Sequence, residues 1–181
     1  MKLKRTYPGE PLYADIERLM EEAFPPEERR PVDKQRRKAL GEETFHVYAL
    51  TVEDRFVGLL TCWMLPGFVY VEHLATLPAE RGRGLGRQAL QALFGLVALP
   101  VVLEVELPVD ELTGRRVDFY RRNGFVLWEG SEYLQPPYRP GDVPFPLKLM
   151  VHGTLDEAAD FERIRRTIHI QVYEQAEALC E

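Results

Sequence analysis

A mixed α/β domain is the fold class that this 181-residue sequence predicts. Three observations predict it. The β-rich runs Phe45 to Thr51, Arg55 to Leu65 and Phe68 to Ala75 are joined only by short turn signals, as in an antiparallel meander. After Pro78 the pattern changes to helix, strand, helix, strand, strand. A long amphipathic segment from Asp156 then closes the chain.

Taken in order, residues 1–7 read as a short strand. Leu12, Ile16, Leu19, Met20 and Ala23 recur at helical spacing over Leu12 to Phe24, and Pro25-Pro26 ends that helix. Glu27 to Leu40 is strongly polar and predicts an exposed second helix ending at Gly41. Glu53-Asp54 and Pro66-Gly67 are the turns of the meander. Leu85, Ala89, Leu93 and Leu96 form one face of a helix over Leu85 to Ala98, stopped by Pro100. Val101 to Leu107 is a compact strand interrupted by Glu104 and Glu106. Leu112 to Asn123 reads as a helix, with Gly124 placed as its left-handed cap. Phe125 to Glu129 and Pro146 to Val151 read as strands, and the proline- and tyrosine-rich stretch Tyr133 to Pro144 as a loop. Asp156 to Leu179 carries Phe161, Ile164, Ile168, Val172, Ala176 and Leu179 at helical spacing. The expected organisation is one domain over 1–154 and a helical extension over 155–181, packed on the domain or at a dimer interface.

Bulk properties narrow the function. The net charge of −6 argues against a nucleic-acid partner. No apolar run approaches membrane-spanning length. Two cysteines, Cys62 in an apolar run and Cys180 at the end, form no disulfide or metal pattern. A reduced, cytoplasmic protein without a metal is expected, as monomer or homodimer.

The stretch Arg81-Gly82-Arg83-Gly84-Leu85-Gly86-Arg87 is the most informative. Glycines let an anion approach peptide N–H groups, and a helix start favours negative charge. Alone, the loop is either an anion site or a glycine-rich turn with solvated arginines. It lacks the Gly-Lys-Ser/Thr of a Walker loop. Its G-x-G-x-G spacing, its offset from the strand by Thr76 to Glu80, and the preceding meander disfavour a dinucleotide site, although Glu104 lies at a suitable distance for a ribose-binding acid.

With its neighbours, the loop resembles the GCN5-related N-acetyltransferase superfamily. Arg81, Gly84 and Gly86 match the fingerprint Gln/Arg-x-x-Gly-x-Gly/Ala. Glu72-His73-Leu74-Ala75-Thr76 resembles the fourth strand of that family, and Val117 to Phe125 its tyrosine-then-Gly-Phe motif. The resemblance covers residues 1–151. It implies a central mixed, mostly antiparallel sheet flanked by helices, with splayed fourth and fifth strands, and acetyl-CoA as the acyl donor. The backbone of Leu74, Ala75 and Thr76 would pair with the pantetheine arm. The N–H groups of Arg83, Gly84, Leu85 and Gly86 would hold the pyrophosphate, with Arg81, Gly82 and Arg87 around it. Phe119 and Thr113 would also touch the coenzyme, Thr113 replacing an asparagine common in the family.

The implied activity is acetyl transfer to a primary amine, on a small cationic molecule or a peptide. The attacking amine must be neutral, and a carboxylate can take its proton. Glu72 is the candidate base, with a structural ion pair as the other reading of that residue. Tyr120 is the candidate acid toward the leaving thiolate, or else a packing tyrosine. Glu104 and Glu106, on one strand face, are candidates for attracting a cationic acceptor, or else for supporting the strand. Tyr138 is a candidate wall of the acceptor pocket, and Phe24 to Arg30 the opposite wall. His73 reads as a core histidine, and His46 is a weaker candidate for chemistry. A non-catalytic acyl-CoA-binding module is the competing function.

Overall fold

The computed structural model describes residues 1–175. Ala176, Leu179 and Cys180, read above as the end of the last helix and an exposed thiol, lie outside the described residues. The chain forms two compact units: Met1–Met64 with Val71–Ala98, and Leu65–Tyr70 with Leu99–Glu181.

The first unit holds β1 (Lys2–Arg5), α1 (Pro11–Ala23), α2 (Val32–Gly41), β2 (Phe45–Val52), β3 (Arg55–Leu65), most of β4 (Phe68–Thr76) and α3 (Leu85–Leu96). The strand order is β1-β2-β3-β4. Strand β2 pairs antiparallel with β1 and β3, and a bulge sits at Leu50/Thr51. Glu53 and Asp54 both take positive φ, 50° and 58°, the geometry of a two-residue hairpin turn. Tyr13, Ile16, Leu19 and Met20 bury the inner stripe of α1. Gly58 is required in β3: a Cβ there would lie 2.4 Å from the Ala75 carbonyl oxygen, so only glycine lets the end of β4 come this close.

One expected element changes form. The segment read as a helix from Glu27 is a short 3-10 turn, Pro26–Glu28, and the α-helix begins only at Val32. Proline disfavours helical geometry in the residue before it, so Pro31 keeps Arg30 out of the helix. Arg30 is buried instead of lying on a polar helix face.

The second unit holds the start of β4, then β5 (Val101–Glu106), α4 (Glu111–Arg122), β6 (Val126–Leu127), β7 (Tyr133–Gln135), β8 (Phe145–His152) and α5 (Glu157–Gln171). Strands β4 and β5 run parallel, and the Val69 N–H donates to the Pro100 carbonyl where they begin. Strand β8 organises the rest, pairing antiparallel with β5, β6 and β7. Tyr133 to Gln135, expected within a loop, forms β7. Tyr133 is 2 % exposed, and this burial holds the segment on β8 opposite Leu147. The strand expected over Phe125 to Glu129 shrinks to two residues.

Helix α4 starts with a capping box. Asp110 accepts from the Thr113 N–H, and the Thr113 hydroxyl reciprocates at the Asp110 N–H. Gly124 takes φ 84°, as expected after the helix. Asp156 caps α5, whose Phe161, Ile164 and Ile168 are buried. The regular helix ends at Gln171, earlier than its apolar periodicity suggested. Val172 and Tyr173 continue inward and are buried, and Glu174 turns the chain at φ 58°.

Candidate active site

In the first unit, Gly82 and Gly84 take φ 77° and 71°, and no neighbouring heavy atom lies within 4 Å of a Cβ built on either. Gly84 is the N-cap of α3, and no side chain caps that helix. Free N–H groups at a helix start, beside a left-handed turn, form an anion cradle. Arg83 is held by Glu80. Arg81 and Arg87 are exposed and form no ion pair among the described residues, which leaves both for an anion. Gly86 is half-buried in the first turn, and Leu85 anchors the helix in the core. Leu74, Ala75 and Thr76, at the end of β4, are half-buried.

Glu72 lies on β4 in the same unit. Its side chain is 0 % exposed and that of Arg30 is 5 % exposed. Arg30 Nη1 donates to Glu72 Oε1 at 2.5 Å, and Trp63 Nε1 donates to Glu72 Oε2 at 2.9 Å. The Arg30 guanidinium lies 5.3 Å from the Trp63 ring centroid and 5.7 Å from that of Phe45. Both carboxylate oxygens are therefore engaged, one by a cation. The sequence named Arg30 only as the end of the candidate wall Phe24 to Arg30 and did not reveal its pairing with Glu72, nor the part played by Trp63. Arg30 was assigned to a polar helix, and Trp63 sits in a strand whose apolar run hides its one donor. Arg30 also lines a cleft with Tyr13, Ile16, Glu17 and Met20.

His73 faces the opposite side of the strand from Glu72. It is buried between the Thr61 hydroxyl at 3.1 Å and the Glu28 carbonyl at 3.0 Å, with Phe24 against its ring. Burial pushes its pKa down, which keeps the ring neutral. His46 bonds to Tyr48 on the same face of β2.

In the second unit, Tyr120 closes α4 with its ring between Phe119 and Phe125, at 5.1 and 5.5 Å. Its hydroxyl makes no hydrogen bond to any described residue. Burial pushes its pKa up to about 12, with Arg116 opposing weakly. The Thr113 hydroxyl is engaged by the helix cap.

Glu104 and Glu106 share a face of β5 but not an environment. Glu106 is ion-paired with Arg116 near solvent. Glu104 accepts from the Tyr133 hydroxyl at one oxygen and from the Tyr173 hydroxyl at the other, the latter at 2.8 Å. Gln135 Nε2 lies 2.7 Å from the Tyr173 oxygen, Tyr70 at 3.2 Å and Tyr138 at 3.4 Å. Tyr138 thus belongs to a buried tyrosine cluster. Burial and then the Glu104 charge raise the pKa values of Tyr133 and Tyr173 well above the ordinary phenol value, so both remain donors. Tyr173 comes from the segment after α5, and nothing in its local sequence distinguishes it from a packing residue.

Among the described residues no group of His, Cys, Asp or Glu side chains is placed to hold a metal, and no helix is long and apolar enough to cross a membrane.

Comparison with known proteins adds the following. The model of the acetyltransferase (GNAT) family matches residues 12–125. A solved protein from Bacteroides thetaiotaomicron assigned to the GNAT family is 41% identical, with 97% of this chain and 100% of that one covered and a TM-score of 0.94. An aminoglycoside 6'-N-acetyltransferase solved with coenzyme A has a TM-score of 0.63 at 14% identity, over 86% of this chain and 100% of that one. A GNAT-family acetyltransferase from Elizabethkingia anophelis, solved with acetyl-CoA, has a TM-score of 0.58 at 11% identity, over 84% and 97% of the two chains. The last two are likenesses of fold. No curated protein matches the chain.

Proposed function

The chain belongs to the acetyltransferase (GNAT) family, and from that premise we propose that it moves an acetyl group from acetyl-CoA to a primary amine, on a small cationic molecule or a peptide, by direct attack in a ternary complex. The observation that carries the proposal is the uncapped start of α3 at Gly84, flanked by Arg81 and Arg87. This cradle fits a pyrophosphate: it offers N–H donors, a helix dipole and two arginines, with open space over both glycines. Support for acetyl-CoA in particular comes from the family and from relatives solved with coenzyme A or acetyl-CoA.

In this reading, the N–H groups of Arg83, Gly84, Leu85 and Gly86 hold the pyrophosphate, and the backbone of Leu74, Ala75 and Thr76 aligns the pantetheine arm. The coenzyme supplies the acetyl group as a thioester. Tyr120 is the acid: its phenol stays protonated at neutral pH and its Oη has no hydrogen-bond partner among the described residues, so its proton is available to the departing sulfur. Phe119 flanks Tyr120, and Thr113 contributes to the coenzyme site by starting α4.

The acceptor's proton goes to a carboxylate or to water beside one. Glu72 was the expected base. Its two donors favour a second role for it, a fixed charge that holds Arg30 and Trp63 in place. Glu104 and Glu106 supply negative charge for a cationic acceptor, and Tyr138 shapes that region. A cytoplasmic location belongs to the same proposal; the buried free thiol of Cys62, its pKa pushed up to about 12 by burial, suits reducing surroundings.

The deciding experiment is a panel of primary amines with acetyl-CoA, read as free thiol released. Turnover of any amine supports the enzyme. Tight coenzyme binding with no turnover supports a non-catalytic module instead. Tyr120→Phe is expected to lower kcat by about 10²-fold with coenzyme affinity unchanged; an unchanged kcat removes the acid role. Gly84→Glu, which places a side chain at φ 71° and a negative charge at the cradle, is expected to weaken coenzyme A binding at least about 100-fold in calorimetry.

A further inference from the structure

The cleft between α1 and α2 lies wholly within the first unit and carries polar groups that the protein leaves without partners. Tyr13, Ile16 and Met20 of α1 and Val32 of α2 give it apolar walls. Tyr13 is 2 % exposed, yet its hydroxyl has no hydrogen-bond partner among the described residues. Taking a hydroxyl out of water without a partner is costly, so an unpaired one that lines a cleft needs a reason. Burial, and then the Glu17 charge, raises the pKa of this phenol well above its ordinary value, so the group remains a donor.

Gln35 supplies a second donor. Its Oε1 accepts from Arg30 Nη1 at 3.4 Å, which orients the amide and leaves Nε2 without a partner among the described residues. Arg29 supplies a third. Its Nε donates to the Phe24 carbonyl at 3.0 Å, and its guanidinium makes no ion pair with the described residues. The charges around the cleft balance. Glu17 is held by Arg36 at both oxygens, at 2.5 and 2.7 Å, and Arg30 is held by Glu72. That leaves one cation, Arg29, and one anion, Glu21, which is exposed and makes no ion pair among the described residues.

The geometry points to a binding site between α1 and α2 for a small neutral molecule with an apolar body and a carbonyl oxygen, the class of a short carboxamide. The apolar body meets Ile16, Met20 and Val32, and the carbonyl oxygen accepts from the Tyr13 O–H and the Gln35 N–H. Neutrality follows from the balance of charge. A charged ligand would lose water against apolar walls with no excess of opposite charge to compensate it. A mainly apolar cleft with a few placed polar groups is the usual seat of a small ligand. None of the lining residues belongs to the glycine loop. The site is one side chain from Glu72, because the Arg30 nitrogen that meets Gln35 also donates to Glu72.

The test uses the full-length protein, with the methyl groups of Ile16 and Met20 followed by NMR, and needs no acetyl-CoA. The probe is isovaleramide, set against isovalerate and isoamylamine, which keep the branched chain and carry a charge. The amide is expected to give saturable shifts at millimolar concentration, and both charged analogues to bind at least about fivefold more weakly. Tyr13→Phe keeps the ring and removes the donor. It should weaken the amide about fivefold and leave the unfolding midpoint unchanged, because the hydroxyl bonds to no described residue. Val32→Phe, which fills the cleft, should remove the shifts. No shift with any probe, equal binding of all three, amide binding or a midpoint that contradicts the Tyr13→Phe expectation, or displacement of the amide by coenzyme A overturns the inference. Each of these leaves the acetyltransferase reading standing, since the amine panel tests that reading separately.

Discussion

Two strand carboxylates, Glu72 in the first unit and Glu104 in the second, are stabilised by different chemistry. Glu72 is sealed: a guanidinium meets one oxygen, an indole N–H the other, and its side chain is 0 % exposed. Glu104 is half-buried, and two phenols solvate its charge. In the first case the negative charge is cancelled where it stands. In the second it is met by phenol O–H donors at both oxygens. The same residue type, in the middle of its strand, thus meets a guanidinium and an indole in one unit and two phenols in the other. Burial alone does not separate the two roles; the partner does.

The comparison can be broken at its stronger end. Arg30→Ala removes the cation from a carboxylate that water cannot reach, and leaving one charge of a buried pair alone costs about 3–5 kcal/mol. Urea unfolding should show that loss, whereas replacing both partners, Arg30→Met with Glu72→Leu, should cost far less because no charge is stranded. If Arg30→Ala costs under about 1 kcal/mol, Glu72 is not sealed in solution, and the base role becomes the better account of it.

How much of this was legible beforehand depends on distance along the chain. The meander, the glycine loop and the capped helix before Tyr120 each carry their signal within about ten residues, and periodicity and turn chemistry read such signals well. Glu72 and Glu104 were legible as candidates because a carboxylate in an apolar strand needs a reason. Their partners were not. Arg30 lies 42 positions from Glu72, and Tyr173 lies 69 positions from Glu104. Nothing local marks Arg30 as an inward residue except Pro31, whose effect on the preceding residue was outweighed by the polar run around it. Tyr133 looked like a loop residue because Pro136 and Pro137 follow it closely; pairing with β8, a tertiary effect, made it a strand.

The weaker end of the comparison can be sharpened with acid. His169 packs its ring 5.4 Å from that of Tyr133, the phenol that donates to Glu104. Its Nε2 is buried without a hydrogen-bond partner among the described residues. Burial, and then the charge of Arg165, pushes its pKa down from 6.5 to about 4. The folded ring is therefore neutral at a pH where the unfolded ring takes up a proton. The stability this contributes is complete above pH 6.5 and falls away as pH drops toward 4, because protons favour the unfolded chain. The expected loss over that window is on the order of 2 kcal/mol. Urea midpoints of the wild type and of His169→Gln, followed from pH 7 to 4, should converge as the pH falls, since glutamine has no proton to gain. Parallel curves would mean that His169 takes up its proton equally in the folded and unfolded states and that the Glu104 cluster meets acid without it.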